Sequence, residues 1–178
     1  MKRAVILFLT ALWIAGCTMS TITPQAVVKP TQTYNTVVLG DVEVQDKIWA
    51  PQIERFRRAF IARFKESNTF EAISDNPPAA IPADAIIVSG KITEIEKGSR
   101  AMRAIVGFGA GRARAQGDFK VVDASGHELA SFTSAKAYSG GAGIGGFDLV
   151  DIDDLMEKFG TDTADAVIRW SKGEPLDQ

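Results

Sequence analysis

Arg112-Ala113-Arg114-Ala115-Gln116-Gly117-Asp118-Phe119-Lys120-Val121-Val122 alternates more cleanly than any other stretch of the chain. Ala113, Ala115, Phe119 and Val121 point one way. Arg112, Arg114, Gln116, Asp118 and Lys120 point the other, the period-two signature of a half-buried strand. Asp123-Ala124-Ser125-Gly126 follows. It suits a type I turn with glycine in the left-handed position, so His127 to Tyr138 is expected to return as a hairpin partner.

Working outward, Ala85 to Glu96 reads as the preceding strand, with Ile86, Val88 and Ile92 on one face. Before it, Asp75-Asn76-Pro77-Pro78 and Pro82 mark an irregular connection, and Phe70 to Ser74 suits a short strand. Tyr34 to Val44 is another strand, with Val38, Val42 and Val44 assigned to the face of Thr36 and Gly40, and Asp41 and Glu43 to the other. Pro51 opens a helix, Gln52 to Glu66, whose stripe is Ile53, Phe56, Phe60 and Phe64. Arg55, Arg57, Arg58, Arg63 and Lys65 lie mostly off that stripe, and Glu54 and Glu66 interrupt their charge. A solvated face is therefore expected over a lipid-binding one. A last helix runs from Asp148 or Asp151 to Ser171, with Ile152, Leu155, Met156, Phe159, Thr163, Val167 and Ile168 as its stripe and Gly160 a position for a kink or break. The expected class is α+β: an antiparallel sheet of about four strands with two helices packed on one face, in the order β-α-(β)-β-β-β-α.

At the N-terminus, Met1-Lys2-Arg3 precedes an uncharged apolar run from Ala4 to Gly16. About 13 residues of helix cover roughly 20 Å, against the ~30 Å of a bilayer core, so a cleaved signal fits better than a permanent span. Ile14-Ala15-Gly16-Cys17 resembles the lipobox of bacterial lipoproteins, with small residues where the peptidase must reach and a thiol to carry the lipid. Cys17 is the only cysteine, so no internal disulfide exists. A palmitate-bearing N-terminus with two or three acyl chains would anchor the chain firmly to a membrane. Thr18, not Asp, follows the cysteine. By resemblance to the sorting pattern of Gram-negative lipoproteins, this implies the periplasm-facing outer membrane, with the periplasmic face of the inner membrane as the alternative. The expected organisation is a signal peptide over 1–16, a lipidated N-terminus and flexible tether over 17–35, one α+β domain over 36–172 and a tail over 173–178. As a coil, the Thr-, Pro- and Gln-rich stretch to Asn35 would hold the domain roughly 20–25 Å from the bilayer. Its apolar Ala26-Val27-Val28 leaves open a second reading, as a packed edge segment.

Taking 16 residues from 178 leaves 162, one ordinary domain plus a tail. Without Lys2 and Arg3, 18 basic residues face 22 acidic ones. That mildly acidic balance is no nucleic-acid footprint, and no nucleic-acid partner is expected.

Few constellations carry chemistry. Gly141-Ala142-Gly143-Ile144-Gly145-Gly146 contains G-x-G-x-x-G between a strand and a helix, but no parallel strand follows to complete a dinucleotide unit. Gly107-Phe108-Gly109-Ala110-Gly111 lacks the Lys-Ser/Thr of a phosphate loop. Asp148, Asp151, Asp153 and Asp154 suit a helix start. His127 is the only histidine, so metal sites built on several His or Cys ligands are impossible. No catalytic residue, metal or cofactor is expected.

The middle and end of the chain resemble a family of uncharacterised bacterial lipoproteins grouped as domain of unknown function 4410. Gly98-Ser99-Arg100, the Arg103 to Ala115 stretch with its Gly-Phe-Gly-Ala-Gly-Arg-Ala run, the Val122 to Gly126 turn and the Gly140 to Gly146 loop carry the likeness. It covers roughly Val37 to Trp170 and brings no activity or catalytic residues. The order of elements is more loosely similar to envelope lipoproteins such as the periplasmic domain of the curli secretion channel.

The functional expectation is a non-enzymatic, lipid-anchored envelope protein that binds or assembles with a protein partner, in an oligomeric state the sequence leaves open. The alternative is a small-molecule or glycan-binding domain, possibly hydrolytic, using the glycine loops and Arg100, Arg103 and Arg112. The partner or ligand surface is expected at Arg100, Met102, Arg103, Ile105, Phe108, Gly109, Gly111 and Arg112, together with Gly141, Gly143 and Gly146. An apolar stretch rich in glycine costs little when a partner covers it. The competing reading is that Met102, Ile105, Val106 and Phe108 fold back onto the protein's own core.

Overall fold

A computed structural model describes residues 18–98, 113–138 and 152–176. Among them are strands β1 (Thr18–Val27), β2 (Thr36–Val44), β3 (Ala72–Ser74), β4 (Ala85–Glu96), β5 (Ala113–Asp123) and β6 (Glu128–Tyr138), and helices α1 (Ala50–Ser67) and α2 (Ile152–Ser171). They build one six-stranded sheet in the order β1-β6-β5-β4-β2-β3. The class is α+β, but the expected sheet of about four antiparallel strands is corrected to a larger, mixed one. β4, β5, β6 and β1 pair antiparallel, whereas β2 pairs parallel with both β4 and β3. The reason is α1. A helix between two paired strands carries the chain back to the end from which it started, and the second strand must then run parallel to the first.

The hairpin forms as expected. Gly126 has φ +85°, and its N–H donates to the Asp123 carbonyl at 3.0 Å. The Asp123 carboxylate accepts from the Ser125 and His127 N–H groups at 2.8 and 2.9 Å. Those donors, His127 first, hold its pKa below the ordinary value.

β2 departs from its expected facing. Val37 and Leu39 enter the core, while Val38 pairs with Ile87 on the far side of the sheet. The register then shifts between Leu39 and Val42. The inserted residue reverses the alternation, so that Val42 and Val44 also pack toward the core. Arg57 of α1 holds the bulge, donating to the Gly40 carbonyl at 3.0 Å and to the Asp75 carbonyl.

Both helical stripes are buried as spaced. Phe56 packs between Phe60, Phe119 and Phe159, and Phe119 continues to Phe132. Each fully buried ring contributes about 1.5–3 kcal/mol. Gly160 does not split α2, which is continuous. A Cβ there would stand 2.4 Å from the Phe56 carbonyl oxygen, so the glycine lets the two helices approach. Much of α1's basic face serves the fold as well. Arg63 pairs with Asp165 at 2.7 Å and Arg55 with Asp153 at 3.3 Å, both on α2.

The segment expected as a tether is an edge strand over Thr18–Val27, paired with β6 from Thr18↔Tyr138 to Val27↔Ala130. Side chains add to the ladder. Ile22 packs against the core. Ser20 Oγ donates to Asp162 Oδ2 at 2.8 Å. Beyond the strand, the Val28 N–H donates to the Leu129 carbonyl at 2.8 Å, and Trp170 Nε1 donates to the Val28 carbonyl at 2.9 Å.

Candidate functional site

Cys17 and every residue of the expected partner surface (Arg100, Met102, Arg103, Ile105, Phe108, Gly109, Gly111, Arg112, Gly141, Gly143 and Gly146) lie outside the described residues. The ladder does fix where these segments attach. Thr18 pairs with Tyr138, Tyr138 with Ala113, and Arg114 with Glu96. The segments 99–112 and 139–151 therefore start beside the end of the sheet at which β1 begins, one residue after Cys17. The parallel β2 reaches the same end at Val44, followed by a 3₁₀ turn at Lys47–Trp49 that leads into α1.

The Thr18 end carries apolar and aromatic side chains beside cations. Met19 is 58% exposed on β1, and Ile48 is 71% exposed in the 3₁₀ turn. Lys97 Nζ stands 5.3 Å from the centre of the half-buried Trp49 ring, and Lys158 Nζ 4.9 Å from that of Tyr138. Lys158 also donates to the Tyr138 hydroxyl. That bond, with help from Asp154 and Asp162, holds its pKa above the ordinary value. At the opposite end stand the acidic Glu71, Asp84, Asp123 and Glu128, near the starts of β3, β4 and β6 and the end of β5.

Between the sheet and α2 lies a polar seam. Lys136, only 8% exposed at its side chain, pairs with Asp162, and Asp162 also accepts from Ser20. The Ser134 and Thr163 hydroxyls meet at 3.0 Å, and Thr163 donates to the Phe159 carbonyl at 2.8 Å. Each of these polar groups has a partner, so the seam ties β1 and β6 to the helix.

The face of the sheet away from the helices holds a shallow depression of about 750 Å³, bordered by Glu43, Ser89, Lys91, Asp118, Lys120 and Ser131. Glu43 stands opposite Lys91, and Lys91 opposite Asp118. Thr133 Oγ1 donates to Asp118 at 2.6 Å and accepts from Gln25 at 2.9 Å. Opposite charges thus alternate across neighbouring strands on a surface open to solvent. Among the described residues no group of three or more His, Cys, Asp or Glu is placed to hold a metal.

Sequence reasoning missed Met19, Ile48, Trp49 and Tyr138 as surface features. The segment that carries Met19 offered little signal: Met19 and Ile22 are three residues apart in a run of Ser and Thr, with no period-two alternation.

No curated protein matches the sequence. In fold, the chain is similar to the PelC dodecamer from Paraburkholderia phytofirmans at TM-score 0.53 and 10% identity, over 88% of this chain and 99% of that one. A point variant of that dodecamer gives 0.53 and 9%, over 88% and 98%. A neuraminyllactose-binding hemagglutinin homolog from Helicobacter pylori gives only 0.35 at 15% identity, over 83% and 86%, too little shared geometry for further comparison. At the sequence level, residues 38–142 match the family described as a domain of unknown function, DUF4410, and that span is more than half of the chain: the protein belongs to this family.

Proposed function

We propose that the protein is a lipid-anchored component of the bacterial envelope that works by binding and assembly and not by catalysis. One observation carries the reading. β1 forms an edge of the sheet, exposed along nearly its whole length, and an open edge is a template for association. Pro24 and the register shift beside it interrupt that edge, which leaves Thr18–Thr23 as the stretch best able to pair. The shallow depression, bordered by charges that alternate across neighbouring strands, supports the same reading, because small-molecule sites are concave and enclose most of their ligand. The PelC dodecamer, built on this fold, makes further copies of this chain the first partner to test. The outer membrane remains the proposed location, from the Ile14 to Cys17 motif and Thr18.

Two measurements test the proposal. Radiolabelled palmitate should enter the wild type and not Cys17→Ser; equal labelling would remove the anchor. A photo-crosslinking side chain placed at Thr23 should give discrete multiples of the chain's own mass in intact cells. A chain that is palmitate-labelled yet crosslinks to nothing, and sediments as a monomer in mild detergent, would overturn assembly.

A further inference from the structure

We infer that the domain is seated directly on the bilayer through the Thr18 end of the sheet, and not held above it on a tether. The inference rests on the proposed lipidation of Cys17 and adds the orientation and the contact surface. Thr18 is already a rung of the β1–β6 ladder, and one peptide unit, about 3.8 Å, separates it from Cys17. The Ser20–Asp162 bond and the packing of Ile22 leave no slack that could be paid out. Acyl chains on Cys17 would therefore draw this end of the sheet to the lipid headgroups.

The chemistry of that end fits a membrane interface. Met19 and Ile48 are two of the four large hydrophobic side chains exposed among the described residues. They stand toward opposite sides of the sheet, on β1 and just after β2. The four strand spacings between these strands, each about 4.8 Å, make the contact about 19 Å wide. Trp49 and Tyr138 lie between, each beneath a lysine ammonium. Amphipathic rings sit at headgroup level, and lysine stems reach from apolar surface toward polar groups. Acidic groups stand at this end too, among them Asp46, Glu94, Glu96 and Asp154, with Glu94 paired to Arg114, so the contact rests on the anchor and the apolar and aromatic groups and not on net charge.

The chain supplies its own reporter. From Cys17 onward it has two tryptophans, Trp49 and Trp170. Trp170 is buried beside Val28 at the opposite end. The chain from Cys17 onward can be coupled through its single thiol to a maleimide phospholipid in vesicles of phosphatidylethanolamine and phosphatidylglycerol. This step needs no cellular lipidation. Lipids brominated near the headgroup should then quench the Trp49 emission and leave that of Trp170. The double variant Met19→Ser with Ile48→Ser should lose most of the quenching while keeping its melting temperature. Absence of quenching in the coupled wild type would overturn the inference, and so would undiminished quenching in the double variant. Failure of palmitate labelling in cells would overturn the lipidation reading alone, since the vesicle result does not depend on it.

Discussion

Ser20 and Asp162 are 142 residues apart in sequence and 2.8 Å apart in space. The bond joins the first strand to the last helix, and Asp162 also pairs there with the buried Lys136. Asp162→Ala should therefore destabilise the fold by about 2–4 kcal/mol, mainly by leaving the Lys136 ammonium buried without its counter-charge. Adding Lys136→Met should recover part of the loss, because an apolar side chain of similar length needs no partner. Urea unfolding of the two variants checks this. If both variants are equally destabilised, the charge pair is not the cause.

Removal of β1 separates a strand from a tether. A chain beginning at Tyr34 loses the whole β1–β6 ladder, the Ile22 packing and the Trp170–Val28 bond. Its melting temperature should fall by at least about 10 °C, since two to four degrees accompany each kcal/mol in a domain of this size. An unchanged melting temperature would return the segment to the status of a linker.

Gly160→Ala sets two effects against each other. Alanine favours the helix by about 0.8–1.0 kcal/mol. Its Cβ would lie 2.4 Å from a backbone oxygen of α1, which cannot move away as a side-chain end can. Overpacking of this kind costs about 1–3 kcal/mol, so a net loss is expected, and Gly160→Val should lose more. A calorimetric rise in stability for the alanine variant would show that the helices can separate without cost.

Asp123 gives a pH signature. Its folded pKa is depressed by the N–H groups of the turn. Its contribution is therefore fully present above the unfolded value and is lost as pH falls through the lower, folded one. Asp123→Asn keeps an acceptor oxygen and removes the charge. The melting-temperature gap between wild type and variant should be largest near neutral pH and close below about pH 4. A gap independent of pH would assign the turn's stability to geometry alone.

Local pattern was enough for much of this protein. The alternation of Ala113 to Val121, the Asp123 to Gly126 turn, the limits of β4 and the stripes of both helices all depend on side chains that sort by period within one element. The hydrophobic effect acts on that period wherever the partner surface lies. The sequence placed the expected partner residues in two glycine-rich stretches, and the fold brings the attachment points of those stretches to one end of the sheet.

Tertiary structure decided the rest. The facing of β2 turned on one inserted residue at Gly40–Asp41, held by an arginine from another element, and a one-residue shift reverses every side chain beyond it. The parallel pairing of β2 with β3 came from the α1 crossover, and that with β4 from the second return of the chain over residues 75–84. Above all, Thr18–Val27 resembles a linker by composition, being rich in Thr, with Pro24 and Gln25. It becomes a strand because β6 presents an unpaired edge, Asp162 an acceptor and Trp170 a donor, each more than 100 residues away. A strand's hydrogen bonds go to another part of the chain, so whether a polar segment is coil or sheet is settled by the partner that meets it and not by its own residues.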